Sequence, residues 1–188
     1  PAGEKTVLLS SIISDGKDSR VAARGGPGAV MGSKNLKAVV VEGDLPIKMA
    51  KTGEFTNLSI SLTKDLKEHP NAKNRRELGT MMWIRMGHEI GNFLPTKNFQ
   101  MGQIEHYENI TAESMKEKLN WSSKGCYGCG VIMCSKVSKW DGKEMEGPEY
   151  ETTAYLGSGC LLKEPEEVAE ANWLCDKFGL DTISTGVT

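Results

Sequence analysis

The sequence predicts an α+β chain, in which the end of a β-sheet domain is followed by a mostly α-helical domain, with the boundary near Ile47. Residues 6–13, TVLLSSII, and 36–43, LKAVVVEG, are aliphatic, β-branched runs of strand length. Beyond residue 47 the texture changes: Phe55, Leu58, Leu62 and Leu66 recur at three- and four-residue steps, the spacing of one helical face. The expected domains are therefore 1–47 and 48–188.

In order, residues 6–13 form a buried strand, the glycine-rich loop DGKDSRVAARGGPGAVMGSKN follows, and 36–43 form a second strand. The helix begun near Lys48 ends at His69-Pro70, because the residue before a proline leaves the helical region. Asn74 is expected to cap a second helix with Leu78, Met82 and Met86 on one face, and Thr111 a short third one with Glu113 in its first turn. A fourth starts at Pro165, carries Val168, Ala171, Cys175 and Phe178 on its apolar face, and stops at Gly179.

Composition narrows the function classes. Lysine and arginine number 23 against 25 acidic residues, a net charge of -2, which leaves no basic footprint for nucleic acid or anionic lipid. The longest aliphatic run, residues 38–41, is far short of a bilayer span. The opening Pro1-Ala2-Gly3-Glu4 has none of the marks of a secretory leader, and the chain reads as an inner piece of a longer cytoplasmic protein. Five cysteines, three of them within nine residues, are a poor disulfide framework and fit a reducing compartment.

Those three, Cys126, Cys129 and Cys134 in CYGCGVIMC, are close enough in sequence to share one metal centre, with Gly130 expected to absorb the four-residue spacer. An iron–sulfur cluster with a remote fourth cysteine ranks above zinc, which usually brings a second close Cys or His pair, and above inert core thiols. The stretch ARGGPGAVMGSKNLK suits an anion held by backbone N–H groups and a guanidinium, or is simply a glycine-rich connection; it has neither Walker nor dinucleotide spacing. DKFGLD places Asp176 and Asp181 around a helix-ending glycine, where a carboxylate does nothing for the helix dipole and is left for a donor-rich ligand, or is an exposed cap. His88 is a proton carrier or a satisfied histidine, and Met81, Met82 and Met86 are packing. GPEYETTAYLGSGC gathers Glu149, Tyr150, Glu151 and Cys160 between glycine turns.

In that order, GGPGAVMGSKNLKAVVVEG, CYGCGVIMC, GPEYETTAYLGS and CDKFGLDTISTG resemble the tungsten-containing aldehyde:ferredoxin oxidoreductase family, and the opening PAGEK resembles its Gly-Pro-Ala-Gly-Glu strand. The resemblance covers essentially the whole chain but only a middle segment of a family member: the end of a pterin-binding β domain and the first part of a helical domain. It implies a tungsten or molybdenum bis-pyranopterin, a magnesium ion bridging the pterin phosphates and a [4Fe–4S] cluster. It also implies oxidation of aldehydes to carboxylic acids, electron transfer to ferredoxin, contact with the rest of its own polypeptide, and a homo- or hetero-oligomer. By motif matching, Arg20, Arg24, Gly25 and Gly26 would line one pterin, and Asp176, Gly179, Leu180 and Asp181 would match the family's Asp-x-x-Gly-Leu-Asp/Cys pterin-binding motif. Cys126, Cys129 and Cys134 would hold the cluster, and Glu151 would be the catalytic proton carrier. Two departures from the family pattern are the extra spacer before Cys134 and Gly130 in place of a proline. Two other readings are a relative that reduces an aromatic acyl-CoA ring, with Cys160 reaching the metal, and a zinc-binding structural module.

Overall fold

A computed structural model describes residues 1–14 and 20–188; residues 15–19, inside the predicted glycine-rich loop, lie outside the described residues. It is a mixture of helix and strand, in agreement with the α+β class. The N-terminal part is a short hairpin and a helix. β1 (Ile12–Ser14) pairs antiparallel with β2 (Arg20–Ala22), Ile12 opposite Ala22 and Ser14 opposite Arg20. Residues 3–5 make one 3₁₀ turn, on which α1 (Pro27–Ser33) packs. A Cβ at position 32 would lie 1.8 Å from the Gly3 carbonyl oxygen, so glycine there is what lets the two backbones touch.

The strand expected over 36–43 is not formed. Val39, Val40 and Val41 are exposed, and no described strand pairs with them, so nothing offsets the cost of extending the segment. The strand expected over 6–13 shrinks to β1, preceded by turns and one bridge from Ser10 to Leu180.

α2 (Thr52–Glu68) carries the predicted stripe, but Phe55, Leu58, Leu62 and Leu66 are all exposed. α3 (Pro70–Leu78) begins at its proline, and the cap is His69, whose Nδ1 accepts the Asn71 N–H at 3.2 Å, rather than Asn74. Gly79 then interrupts the helix in a conformation (φ 63°, ψ -154°) that a side chain disfavours. A 3₁₀ turn, α4 (Met82–Met86) and a π-turn over Gly87–Gly91 follow. The interruption rotates the face, so that Met81 and Ile84, rather than Met82 and Met86, enter the core.

α5 (Ala112–Lys118) starts after Thr111 as expected, with Glu113 in its first turn. An antiparallel meander then appears that the sequence did not announce: β3 (Ser122–Lys124), β4 (Ser135–Trp140) and β5 (Lys143–Glu146), in the order β3-β4-β5. Its strands are short and lysine-rich, which hides them from a hydrophobic periodicity. The chain continues through α6 (Tyr150–Thr152), a π-turn over Thr153–Ser158, α7 (Pro165–Phe178) and α8 (Thr182–Gly186). α7 has the predicted bounds and buries Val168 and Cys175, but Phe178 is exposed and Asn172 is buried in its place.

Met81, Ile84, Leu94, Ile110, Met115, Leu119 and Val168 form the centre of the core, between α4, α5, α7 and the meander. Ile84→Ala is expected to cost about 3 kcal/mol, the usual range for emptying a closed apolar site, and a denaturant melt with unchanged slope would register it.

α7 ends in a Schellman motif: the Leu180 N–H donates to the Cys175 carbonyl at 2.8 Å and the Gly179 N–H to that of Asp176 at 3.2 Å, with Gly179 left-handed at φ 75°. Residues 178–181 thereby turn onto the N-terminal segment. The Ala2 N–H donates to the Phe178 carbonyl (2.9 Å), the Ser11 N–H to Gly179 (2.9 Å) and the Asp181 N–H to Leu9 (3.0 Å). This seam brings the N-terminal hairpin against the end of α7. No helix among the described residues is long and apolar enough to cross a membrane.

Candidate functional site

A cleft of about 320 Å³ opens along that seam. From the hairpin and just beyond it come Arg20, Val21 and Ala23; from the meander's end and the turn after it, Glu146, Gly147 and Glu149; from α6, Glu151; and from α7 to the start of α8, Asn172, Asp176, Leu180, Asp181 and Thr182. Five predicted residues, Arg20, Glu151, Asp176, Leu180 and Asp181, thus share one cavity although 161 positions separate the first from the last (181 minus 20).

Arg20 donates to Ser135 Oγ at 2.6 Å, pairs with the buried Glu146 and approaches Glu149 at 3.9 Å. Lys124 of β3 lies 3.4 Å from Glu146 on its other side. Asp181 is buried. Its carboxylate caps α8, accepting the Ser184 N–H at 2.8 Å and the Ser184 hydroxyl, and lies 3.9 Å from Arg24 Nε. It is thus neither an exposed cap at the end of α7 nor idle with respect to helices: it is the buried N-cap of the next one. Asp176 accepts from Asn172 Nδ2 at 3.2 Å, and burial pushes its carboxyl up to about 7, against the smaller downward pull of that hydrogen bond.

The folded chain holds the Asp176 proton from the ordinary carboxylate range up to about pH 7, where the unfolded chain has lost it. Stability of the cofactor-free chain is therefore expected to fall as pH rises through that window. Asp176→Asn should flatten this slope in a series of thermal melts; an unchanged slope would place the proton elsewhere.

Arg24 stands at the edge of the cleft with an exposed side chain, reaching it through Asp181. Gly25 and Gly26 are both left-handed, at φ 91° and 70°. Space around Gly25 is open, whereas a Cβ on Gly26 would meet the Leu8 carbonyl oxygen at 2.6 Å. Gly179 acts through its backbone, at the Schellman turn.

The cysteines Cys126, Cys129 and Cys134 sit on one loop between β3 and β4. The Cys129 N–H donates to the Cys126 carbonyl at 2.9 Å, and Cys126 Sγ lies 3.7 Å from Ser135 Oγ, which joins the loop to Arg20 and Glu149. Hydrogen bonding from the backbone of Met133, then Ile132, holds the Cys129 thiol below its ordinary range. Burial, then the Glu149 carboxylate and the other two thiols, raise that of Cys134. In the four-residue spacer between Cys129 and Cys134 the left-handed residue is Met133 (φ 48°), at the end of the turn that Gly130 opens; Gly128 (φ 74°) is left-handed between Cys126 and Cys129. Among the described residues no three His, Cys, Asp or Glu side chains converge on a single ion-sized point. Three soft thiols on one loop nevertheless make a donor set suited to an iron–sulfur cluster, whose corner irons hold thiolates further apart than one ion does.

The remaining candidates lie elsewhere. His88 stacks on Tyr107 (3.8 Å between centroids) and accepts the Ile104 N–H at 3.3 Å on Nδ1; it does not line the cleft. Cys160 donates to the Tyr155 and Gly186 carbonyls, both at 3.4 Å, and Cys175 is a buried thiol pushed up to about 11 by burial. The sequence reading missed Glu146, Asn172 and Ser135. Asn172, one helical turn before Asp176 on the same face, was the one with a readable signal.

Comparison with known proteins agrees with this division of the cleft between an N-terminal and a later part. Residues 1–43 match the N-terminal domain of aldehyde ferredoxin oxidoreductase, and residues 57–188 match its domains 2 and 3. A tungsten-containing aldehyde ferredoxin oxidoreductase of Pyrococcus furiosus is 40% identical over all of this chain and 31% of its own length. One from Thermococcus kodakarensis is 40% identical over the same shares. The WOR-like subunit of an aliphatic sulfonate oxidoreductase from Pyrococcus furiosus is 33% identical over 98% of this chain and 30% of its own length. The chain thus spans about a third of these relatives, and with its two matched parts in their order it belongs to the aldehyde ferredoxin oxidoreductase family.

Proposed function

We propose that this chain supplies one side of the active centre of a tungsten- or molybdenum-pterin oxidoreductase that converts aldehydes to carboxylic acids and passes the electrons through a [4Fe–4S] cluster to ferredoxin. The observation that carries the reading is the meeting, in one cleft, of Arg20 from the N-terminal match with Glu151, Asp176 and Asp181 from the later one. The division into domains at residue 47, the bridging magnesium and the oligomer belong to the same proposal.

When bound, the pterin-held metal supplies two-electron chemistry at the carbonyl carbon and the cluster a one-electron outlet. The residues of this chain bind and orient. Asp176 and Asp181 face the cleft as hydrogen-bond partners for a heterocycle rich in N–H groups, and Asp176, protonated up to about pH 7, can donate as well as accept. Arg24 and the left-handed Gly25 and Gly26 suit the phosphate end. Glu151 is solvent-exposed at the cleft, where it can take up a proton and release it to water.

The ring-reducing alternative drew on Cys160, whose sulfur faces two carbonyls away from the cleft. Metal analysis of the anaerobically purified holoenzyme is expected to find tungsten or molybdenum together with iron and a broad visible iron–sulfur band. Zinc alone would refute the reading.

A further inference from the structure

Ser135 stands where the cysteine loop meets the sheet. It is the first residue of β4 and pairs with Lys124, the last of β3, so these two residues close the neck of the loop that carries Cys126, Cys129 and Cys134. The residue is buried, and strand register rather than the loop sets where its oxygen lies. Groups from three separate segments meet at that oxygen. Arg20 of β2 donates to it from Nη2 at 2.6 Å, Cys126 Sγ of the loop lies 3.7 Å away, and Glu149 Oε1, from the turn after β5, lies 3.3 Å away. Arg20 and Glu149 line the cleft, so one hydroxyl touches the cleft on one side and a cysteine sulfur on the other.

A hydroxyl has one proton to give and two lone pairs to offer, and a guanidinium can only donate. The Arg20 N–H takes a lone pair, which leaves the single Ser135 proton for Glu149 or for Cys126. A thiol could supply its own proton to the oxygen; a ligating thiolate has none and can only accept. We propose that Ser135 is a positioning residue for the cluster held at Cys126: its hydroxyl donates to the Cys126 sulfur in the loaded protein and, being shared with Arg20 and Glu149, couples the charged groups of the cleft to the cluster's reduction potential. The inference rests on the proposed cluster at Cys126, Cys129 and Cys134. A hydrogen bond to a ligating sulfur favours the more negative, reduced cluster and so raises its potential. Arg20 polarises the hydroxyl and strengthens that donation, whereas the Glu149 carboxylate competes for the same proton.

The test is a redox titration of the holoenzyme, followed by the electron paramagnetic resonance of the reduced cluster, in wild type, Ser135→Ala, Glu149→Gln and the double variant. At the wild-type midpoint the ratio of reduced to oxidised cluster is expected to drop roughly tenfold in Ser135→Ala, a tenfold change being about 59 mV for one electron. Glu149→Gln removes the competing carboxylate and is expected to raise that ratio roughly threefold in the wild-type background and by less in Ser135→Ala, where no hydroxyl is left to pass the change on. An unchanged midpoint in Ser135→Ala overturns the proposal. An equal rise in both backgrounds overturns it as well, because the charge of Glu149 would then reach the cluster without the hydroxyl. Should Ser135→Ala fail to hold the cluster, Ser135→Thr, which keeps the hydroxyl, decides: a cluster regained at the wild-type midpoint supports the proposal, and any other result overturns it. No iron–sulfur signal in the wild-type holoenzyme would instead refute the cluster reading, and this inference with it.

Discussion

Cys126→Ala and Cys129→Ala, introduced separately into the holoenzyme, are each expected to abolish the visible iron–sulfur band and electron transfer to an artificial acceptor. A thiolate ligand has no substitute in alanine, whose methyl cannot bind iron. Cys175→Ala is the control. Its thiol is buried under α7, and truncating it should cost about 1 kcal/mol of stability while leaving the band intact. Cys134→Ala reads the departure from the family spacing: loss of the band makes Cys134 the third ligand, whereas a retained band, with loss in Cys160→Ala, would move that role to Cys160.

What the sequence disclosed about this molecule depended on whether a local rule governed it. α7 was readable end to end because its signals are local: Pro165 opens it, an apolar stripe lines it, and Gly179 closes it in the left-handed conformation. The cysteine loop was readable for the same reason, as three ligand-type residues within nine positions. The strand expected at 36–43 failed because a β-branched run specifies a strand only when another strand accepts its hydrogen bonds, and none of the described strands does. The meander was invisible for the opposite reason. Lys136 is buried, which no periodicity would suggest, and it is tolerated because its ammonium finds the Arg76 carbonyl and Ser123. In the cleft, motif matching named Asp176 and Asp181, whereas Glu146 and Asn172, which fix Arg20 and Asp176, owe their places to packing between distant segments.

Glu146→Ala is expected to destabilise the fold by about 2 kcal/mol, the largest effect of any single charge in the cleft. Glu146 is a nearly inaccessible carboxylate on β5 (side chain 6% exposed), held between Arg20 of β2 and Lys124 of β3. Its pair with Arg20 ties the hairpin to the meander, and its pair with Lys124 ties β5 to β3 within the meander. Breaking a buried pair from one end usually costs about 3–5 kcal/mol, since the remaining charge stays desolvated. Here the two cations are 36% and 29% exposed, so water recovers part of that loss and the lower figure applies. Arg20 also keeps Ser135 and the 3.9 Å approach to Glu149, so its side chain should swing toward Glu149 and narrow the cleft on that side. For a chain of this length the expected drop in melting temperature is about 4–8 °C. Glu146→Gln, which retains an acceptor of the same shape but no charge, should lose about half as much. Glu54→Ala, which breaks a pair whose side chains are 70% and 72% exposed, is the comparison and should stay within about 0.5 kcal/mol of wild type. A melting temperature of Glu146→Ala no lower than that of Glu54→Ala would mean that the Arg20–Glu146–Lys124 bridge does not hold the two parts of the cleft together.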